Sequence, residues 1–126
     1  TVYTRQGKPS SGFQAVQAWQ EQIRAYVKVK WAGKPLIDGL VRLDTAFHIG
    51  RPLVEHVSKR TGDLDNMRKA CSDSLNFIIY VDDCQVIAGQ SWMVGLFEEP
   101  YTRIYVREVP PDYQPWEVSW PSDNSG

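Results

Sequence analysis

The stretch from Gly62 to Gln85, GDLDNMRKACSDSLNFIIYVDDCQ, carries five aspartates. Met67, Ala70, Cys71, Ser74 and Leu75 recur at helical spacing, which marks one packed face and predicts a helix over about residues 65–76. Ile78-Ile79-Tyr80-Val81 is β-branched and aromatic, and Asp82-Asp83 reads as the turn into a strand over about 85–94. A helix followed by strands sets the class: α+β rather than all-α or all-β.

Upstream, Ser11-Gly12-Phe13-Gln14 has the form of a capping box. Apolar residues at 13, 16, 19, 23, 26 and 27 follow it until Gly33-Lys34-Pro35, predicting a first helix over roughly 12–31 with Trp19 and Tyr26 on its core stripe. From Leu40 to Ile49 the chain alternates. Val41, Leu43, Thr45, Phe47 and Ile49 share the better-buried face, and Arg42, Asp44, Ala46 and a half-exposed His48 share the other. Residues 50–62 read as a basic loop, 102–109 as the last strand, and Pro110-Pro111 as the end of regular structure. The expected architecture is a single small α+β domain over 1–109, with a mixed sheet and two main helices. A Pro- and Trp-containing tail, with Trp116 and Trp120, follows over 110–126.

The 126 residues suffice for one domain and rule out several. No run approaches the ~20 apolar residues of a membrane span, and the N-terminus has no signal-peptide succession, so the expected compartment is the cytoplasm and no membrane partner is expected. Cys71 and Cys84 match neither a disulfide framework nor a zinc-ligand spacing; both are expected as free thiols, with Cys71 in the core. The net charge of -1 hides an asymmetry: residues 1–60 carry ten basic and four acidic side chains, and residues 61–126 carry four and eleven. A basic half suits nucleic acid, and clustered acids suit a metal ion; solvated faces account for either charge run as well.

Asp63 and Asp65 enter the second helix, and Asp82 and Asp83 enter the strand after it. A helix of eleven residues rises about 16 Å, and the six or so residues beyond it, if extended, return far enough to bring the two pairs together. Three or four neighbouring carboxylates repel one another unless a cation lies between them, and hard oxygen ligands suit Mg²⁺. Singly, each acid has a structural role open to it: Asp65 as N-cap, Asp63 as a charge on the helix dipole, Asp82-Asp83 as a turn. Lys69, four residues from both Asp65 and Asp73, either pairs with them or contacts a phosphate oxygen. A dehalogenase-type DxD would follow an apolar strand, and an EF-hand needs its twelve-residue loop; neither context is present.

The runs Asp63-Leu64-Asp65-Asn66-Met67-x-Lys69, Asp73-x-Leu75-Asn76 and Tyr80-x-Asp82-Asp83-x-Gln85-Val86 resemble the RusA family of Holliday-junction resolvases, common in prophages. More loosely the resemblance takes in the first helix, the 40–49 strand and Glu98-Glu99-Pro100 with Ile104, most of residues 3–109. It implies a homodimeric, Mg²⁺-dependent endodeoxyribonuclease of recombination and repair, with Mn²⁺ as the alternative ion, that hydrolyses paired strands at a four-way DNA junction. Asp63, Asp65 and Asp83 match the family's metal-binding aspartates, and Lys69 its catalytic lysine. Lys59, Arg60 and Lys69 are the expected DNA contacts, with Arg24, Lys28 and Lys30 as further candidates. The sequence departs from the family at Gly62, where Pro or a basic residue is usual, and at Met93, near a common strand lysine. The family's leading strand is not legible before Thr1, so an N-terminally incomplete chain is expected. These departures define the alternative, a structure-selective DNA-binding protein that keeps the fold and does not cut. A phosphohydrolase of small substrates has no pocket signature here.

Overall fold

In the computed structural model the described residues are 2–4, 13–55, 63–96 and 99–114. Their elements run β1 (Val2–Thr4), α1 (Phe13–Lys30), β2 (Leu40–His48), α2 (Leu64–Ser74), a 3-10 turn (Asp83–Gln85), β3 (Val86–Ala88), β4 (Ser91–Val94) and β5 (Tyr101–Val109). The expected α+β class, mixed sheet and two main helices are all present. β1, which the sequence did not suggest, pairs antiparallel with β5, Val2 opposite Ile104.

Strand β2 is central, antiparallel to β5 along its whole length and parallel to β3 and β4 on its other side. Trp19, Ile23 and Val27 of α1 and Met67, Ala70 and Cys71 of α2 pack over Val41, Leu43, Phe47 and Ile104 of the sheet. Trp19 meets Phe47 edge to face, with ring centroids 5.9 Å apart. Each such fully buried large side chain contributes on the order of 1.5–3 kcal/mol by leaving water. The stripe read from the sequence is therefore the core, with Tyr26 partly buried at its edge. The Ser11 capping box lies outside the described residues.

Three expectations are corrected. First, the second face of β2 is buried as well: Arg42, Asp44, Ala46 and His48 are all nearly inaccessible. Arg42 forms a two-pronged pair with Asp44, Nε to Oδ2 and Nη2 to Oδ1 at 2.9 Å each, and Tyr101 stacks on its cross-strand neighbour His48 at 3.9 Å. Arg42 also donates to the Tyr113 hydroxyl, so that face is held by pairing and stacking with partners distant in sequence, which period-two alternation cannot report. Second, the strand over 85–94 is two strands. Gly89 interrupts it at φ 142, and any Cβ there would drive into the carbonyl oxygen of Leu43. The Asp44 carboxylate accepts the Gln90 N–H at the break, at 2.9 Å, standing in for a lost ladder bond.

The third correction matters most for function. Ile78-Ile79-Tyr80 is not extended: the N–H groups of Ile78 and Ile79 both donate to Leu75 O, and that of Phe77 to Tyr80 O at 2.7 Å. Leu75, Ile78, Ile79 and Tyr80 are buried, so the β-forming composition reflects core packing of a turn, with burial overriding intrinsic preference. Ile37 docks against it, its N–H donating to Ile79 O at 2.7 Å. The chain thus bends at the end of α2 instead of running back along it.

Candidate functional site

Asp63 is the N-cap of α2: its carboxylate accepts the Asn66 N–H at 2.9 Å. Asp65 stands in the first turn, so the two acids exchange the roles expected of them. Both are exposed, as is Lys69. No ion pair joins Lys69 to Asp65 or Asp73 among the described residues, which leaves its amine open to an anion. Residues 65, 69 and 73 are spaced by four, so acid, base and acid form one stripe along α2, about 12 Å from first to last.

The compact turn over 75–80 delivers Asp82 and Asp83 to the far end of that stripe. Asp82 caps the 3-10 turn, accepting the Cys84 N–H at 3.0 Å, while Gln85 Oε1 accepts the N–H groups of Val81 and Asp82. Gln85 Nε2 donates to Ile37 O and Gly39 O at 2.8 Å each, which fixes the turn against the chain leading into β2. The backbone bond from Cys84 holds the Asp82 carboxyl below its usual range. Asp83 moves the other way, to about 6, because its carboxyl lies within hydrogen-bonding reach of Asp73 and Asp82 and is partly desolvated.

The acidic pairs expected to meet therefore do not. Asp83 joins Asp73 at the C-terminal end of α2, and Asp63 and Asp65 stay at the N-terminal end, because the intervening chain is turned rather than extended. Among the described residues no group of three His, Cys, Asp or Glu side chains is gathered as a metal site. The donor chemistry nevertheless fits a hard divalent ion: all donors are carboxylates, and Asp83 stands beside two like charges whose repulsion a cation would offset. Asp73 is the residue that sequence reasoning undervalued. Its spacing from Asp65 and Lys69 was the available signal. Lys59 and Arg60 lie outside the described residues, and Met93 sits on β4 at the edge of the core. Burial pushes the Cys71 thiol up to about 12, so it is a core residue and not a nucleophile; Cys84 is exposed, and both are free thiols.

A small mixed sheet backed by two helices, with carboxylates and a lysine along one helix, makes this a single α+β domain with an acidic helix face. The particular family follows from comparison with known proteins, where the family model described as Endodeoxyribonuclease RusA matches residues 2–107. The chain belongs to the RusA family of endodeoxyribonucleases, Holliday-junction resolvases that act on branched DNA in recombination and depend on divalent metal. Among curated proteins no relative matches. No helix of the described residues is long and apolar enough to cross a membrane.

Proposed function

We propose that this chain hydrolyses phosphodiester bonds at four-way DNA junctions with Mg²⁺ as its working ion. The observation that carries the reading is the stripe Asp65–Lys69–Asp73 on α2, exposed at Asp65 and Lys69 and half-buried at Asp73, continued at one end by Asp63 and at the other by Asp83 with its raised proton affinity. Asp63 and Asp65 at one end of α2, and Asp83 with Asp73 beside it at the other, are the proposed metal-holding carboxylates, as two groups rather than one closed cluster. When bound, the metal would supply Lewis acidity toward the phosphate and a lowered pKa for attacking water.

The chain's own groups supply the rest. Lys69 offers a cation on the same face of α2; set against a scissile phosphate it would offset charge that grows as the reaction proceeds. Asp63 can cap α2 through one oxygen and keep the other for a cation, because the cap uses a single bond. Asp82 is occupied as a cap and orients the Asp83 backbone. Cutting paired strands requires two such sites, so the proposed working form is a homodimer, with Lys59, Arg60 and Lys69 as phosphate contacts. Binding through them should weaken steeply with salt.

The test is nicking of labelled four-way junction and linear duplex with Mg²⁺ or with chelator. Metal-dependent cutting confined to the junction is the expected result. Metal-independent cutting, or equal cutting of the linear duplex, refutes the proposal; tight junction binding without cutting in any divalent ion favours the non-cleaving DNA-binding reading.

A further inference from the structure

Phe77 is exposed where aromatic residues are not usually left and bent where they are not usually found. It is 72% exposed, the only Phe, Tyr or Trp in the exposed class among the side chains described. Its φ of 65° is also the only positive value outside glycine among the described residues. A residue with a Cβ enters the left-handed region at a cost, and a bulky one rarely does. The turn enforces it: the Phe77 N–H is bonded to Tyr80 O, while Leu75, Ile79 and Tyr80 are fully buried and Tyr80 Oη donates to Ser72 O at 2.7 Å. Glycine would satisfy this backbone without strain. Neither packing nor conformation accounts for an aromatic ring here, and such outliers concentrate at sites of function.

The ring's place in the chain points to what it meets. Phe77 belongs to the turn that links Asp73 to Asp82 and Asp83, one residue beyond Asn76, whose N–H closes the helix on Asp73 O at 3.2 Å. Cations reach the same end of the helical layer from α1, because Ile37 is bonded to Ile79 and the segment before it holds Lys34. Lys34 lies 4.7 Å from the centroid of Trp31, and Lys30 lies 5.6 Å from that of Tyr26. An exposed aromatic tip on the turn that joins the carboxylate-bearing segments complements one ligand in particular: a nucleotide whose base has left its stack. Base-on-aromatic stacking tolerates any sequence and needs an accessible base face. Branch points supply such bases; intact duplexes do not.

We infer that Phe77 stacks on an unstacked base at the DNA branch and thereby sets the preference for junction over duplex. The inference rests on the junction-cleaving reading above and adds to it a residue outside the charged stripe. Its test uses the full chain with Ca²⁺ replacing Mg²⁺, a four-way junction carrying 2-aminopurine at the branch, and a linear duplex of the same sequence. The parent should brighten or quench the probe on binding and hold the junction more tightly than the duplex. Phe77→Gly should lose the probe response and weaken junction binding about tenfold, with duplex binding unchanged. It should also melt at or above the parent temperature, since the strain is relieved, and Phe77→Trp should retain the response. The inference is overturned if Phe77→Gly keeps the probe response and junction affinity, or if it weakens junction and duplex alike. A parent that does not distinguish junction from duplex would instead remove the reading of function on which the inference stands.

Discussion

Replacing Asp83 by Asn should stabilise the metal-free protein at neutral pH. In the folded chain Asp83 keeps its proton up to about pH 6, against an ordinary value of 3.8, because Asp73 and Asp82 stand against it. Two units correspond to roughly 3 kcal/mol at about 1.4 kcal/mol per unit. Asp82 is exposed and Asp83 only partly buried, so water screens most of that, and about 1 kcal/mol is the working figure. Between about pH 4 and 6 the folded chain binds a proton that the unfolded chain has released. The contribution of Asp83 to stability is therefore fully present below about pH 4 and is lost as pH rises through about 6. An uncharged Asn has no such dependence. In chelator at pH 7, Asp83→Asn should melt about 3–6 °C above the parent, and the gap should close at pH 4.5. Urea denaturation at both pH values measures it independently, and Asp73→Asn should give a similar gain that does not add to the first. An Asp83→Asn variant no more stable than the parent at pH 7, or an advantage unchanged at pH 4.5, would refute the like-charge contact on which the reasoning rests.

Asp63→Asn should abolish junction cleavage while the melting temperature stays within a degree or two, because Asn caps a helix as well as Asp does; full cleavage activity would remove Asp63 from the proposed ligands. Lys69→Ala should slow single-turnover cleavage by about 100-fold with little change in the Mg²⁺ dependence, and an unchanged rate would return Lys69 to a solvated helix surface. Millimolar Mn²⁺ should raise the melting temperature of the parent by several degrees and that of Asp83→Asn by less, read by thermal melts with and without chelator. Asp44→Ala leaves a buried guanidinium without its partner and should cost about 3–5 kcal/mol in urea denaturation.

The core of this fold was open to sequence reading because apolar spacing is a direct record of burial on one face of a helix. Trp19, Ile23 and Val27 in α1 and Met67, Ala70 and Cys71 in α2 all lie where their spacing puts them. What could not be read depends on partners distant in sequence. Arg42 and Asp44 look like a solvent face until they are seen bonded to each other, to Tyr113 and to Gln90, and Gly89 looks like any loop glycine until Leu43 approaches it. The candidate site divides the same way. Residue types and spacing singled out Asp63, Asp65, Lys69 and Asp83, yet the grouping of Asp83 with Asp73 turned on whether 75–80 was extended. That question was decided by core burial of Ile78, Ile79 and Tyr80, which composition alone presents as a strand.

The hydroxyl of Tyr113 accepts hydrogen bonds from Arg42 at 3.1 Å and from Arg107 at 3.2 Å, and Arg42 in turn grips the carboxylate that spans the break at Gln90. The family match ends at residue 107, and the last strand at Val109. A chain shortened to Val109 would keep every strand and both helices, yet the central guanidinium would lose one of its acceptors and turn toward water. The packed unit thus reaches past the residues that homology recognises. A phenol four residues past the sheet reaches back to the innermost strand.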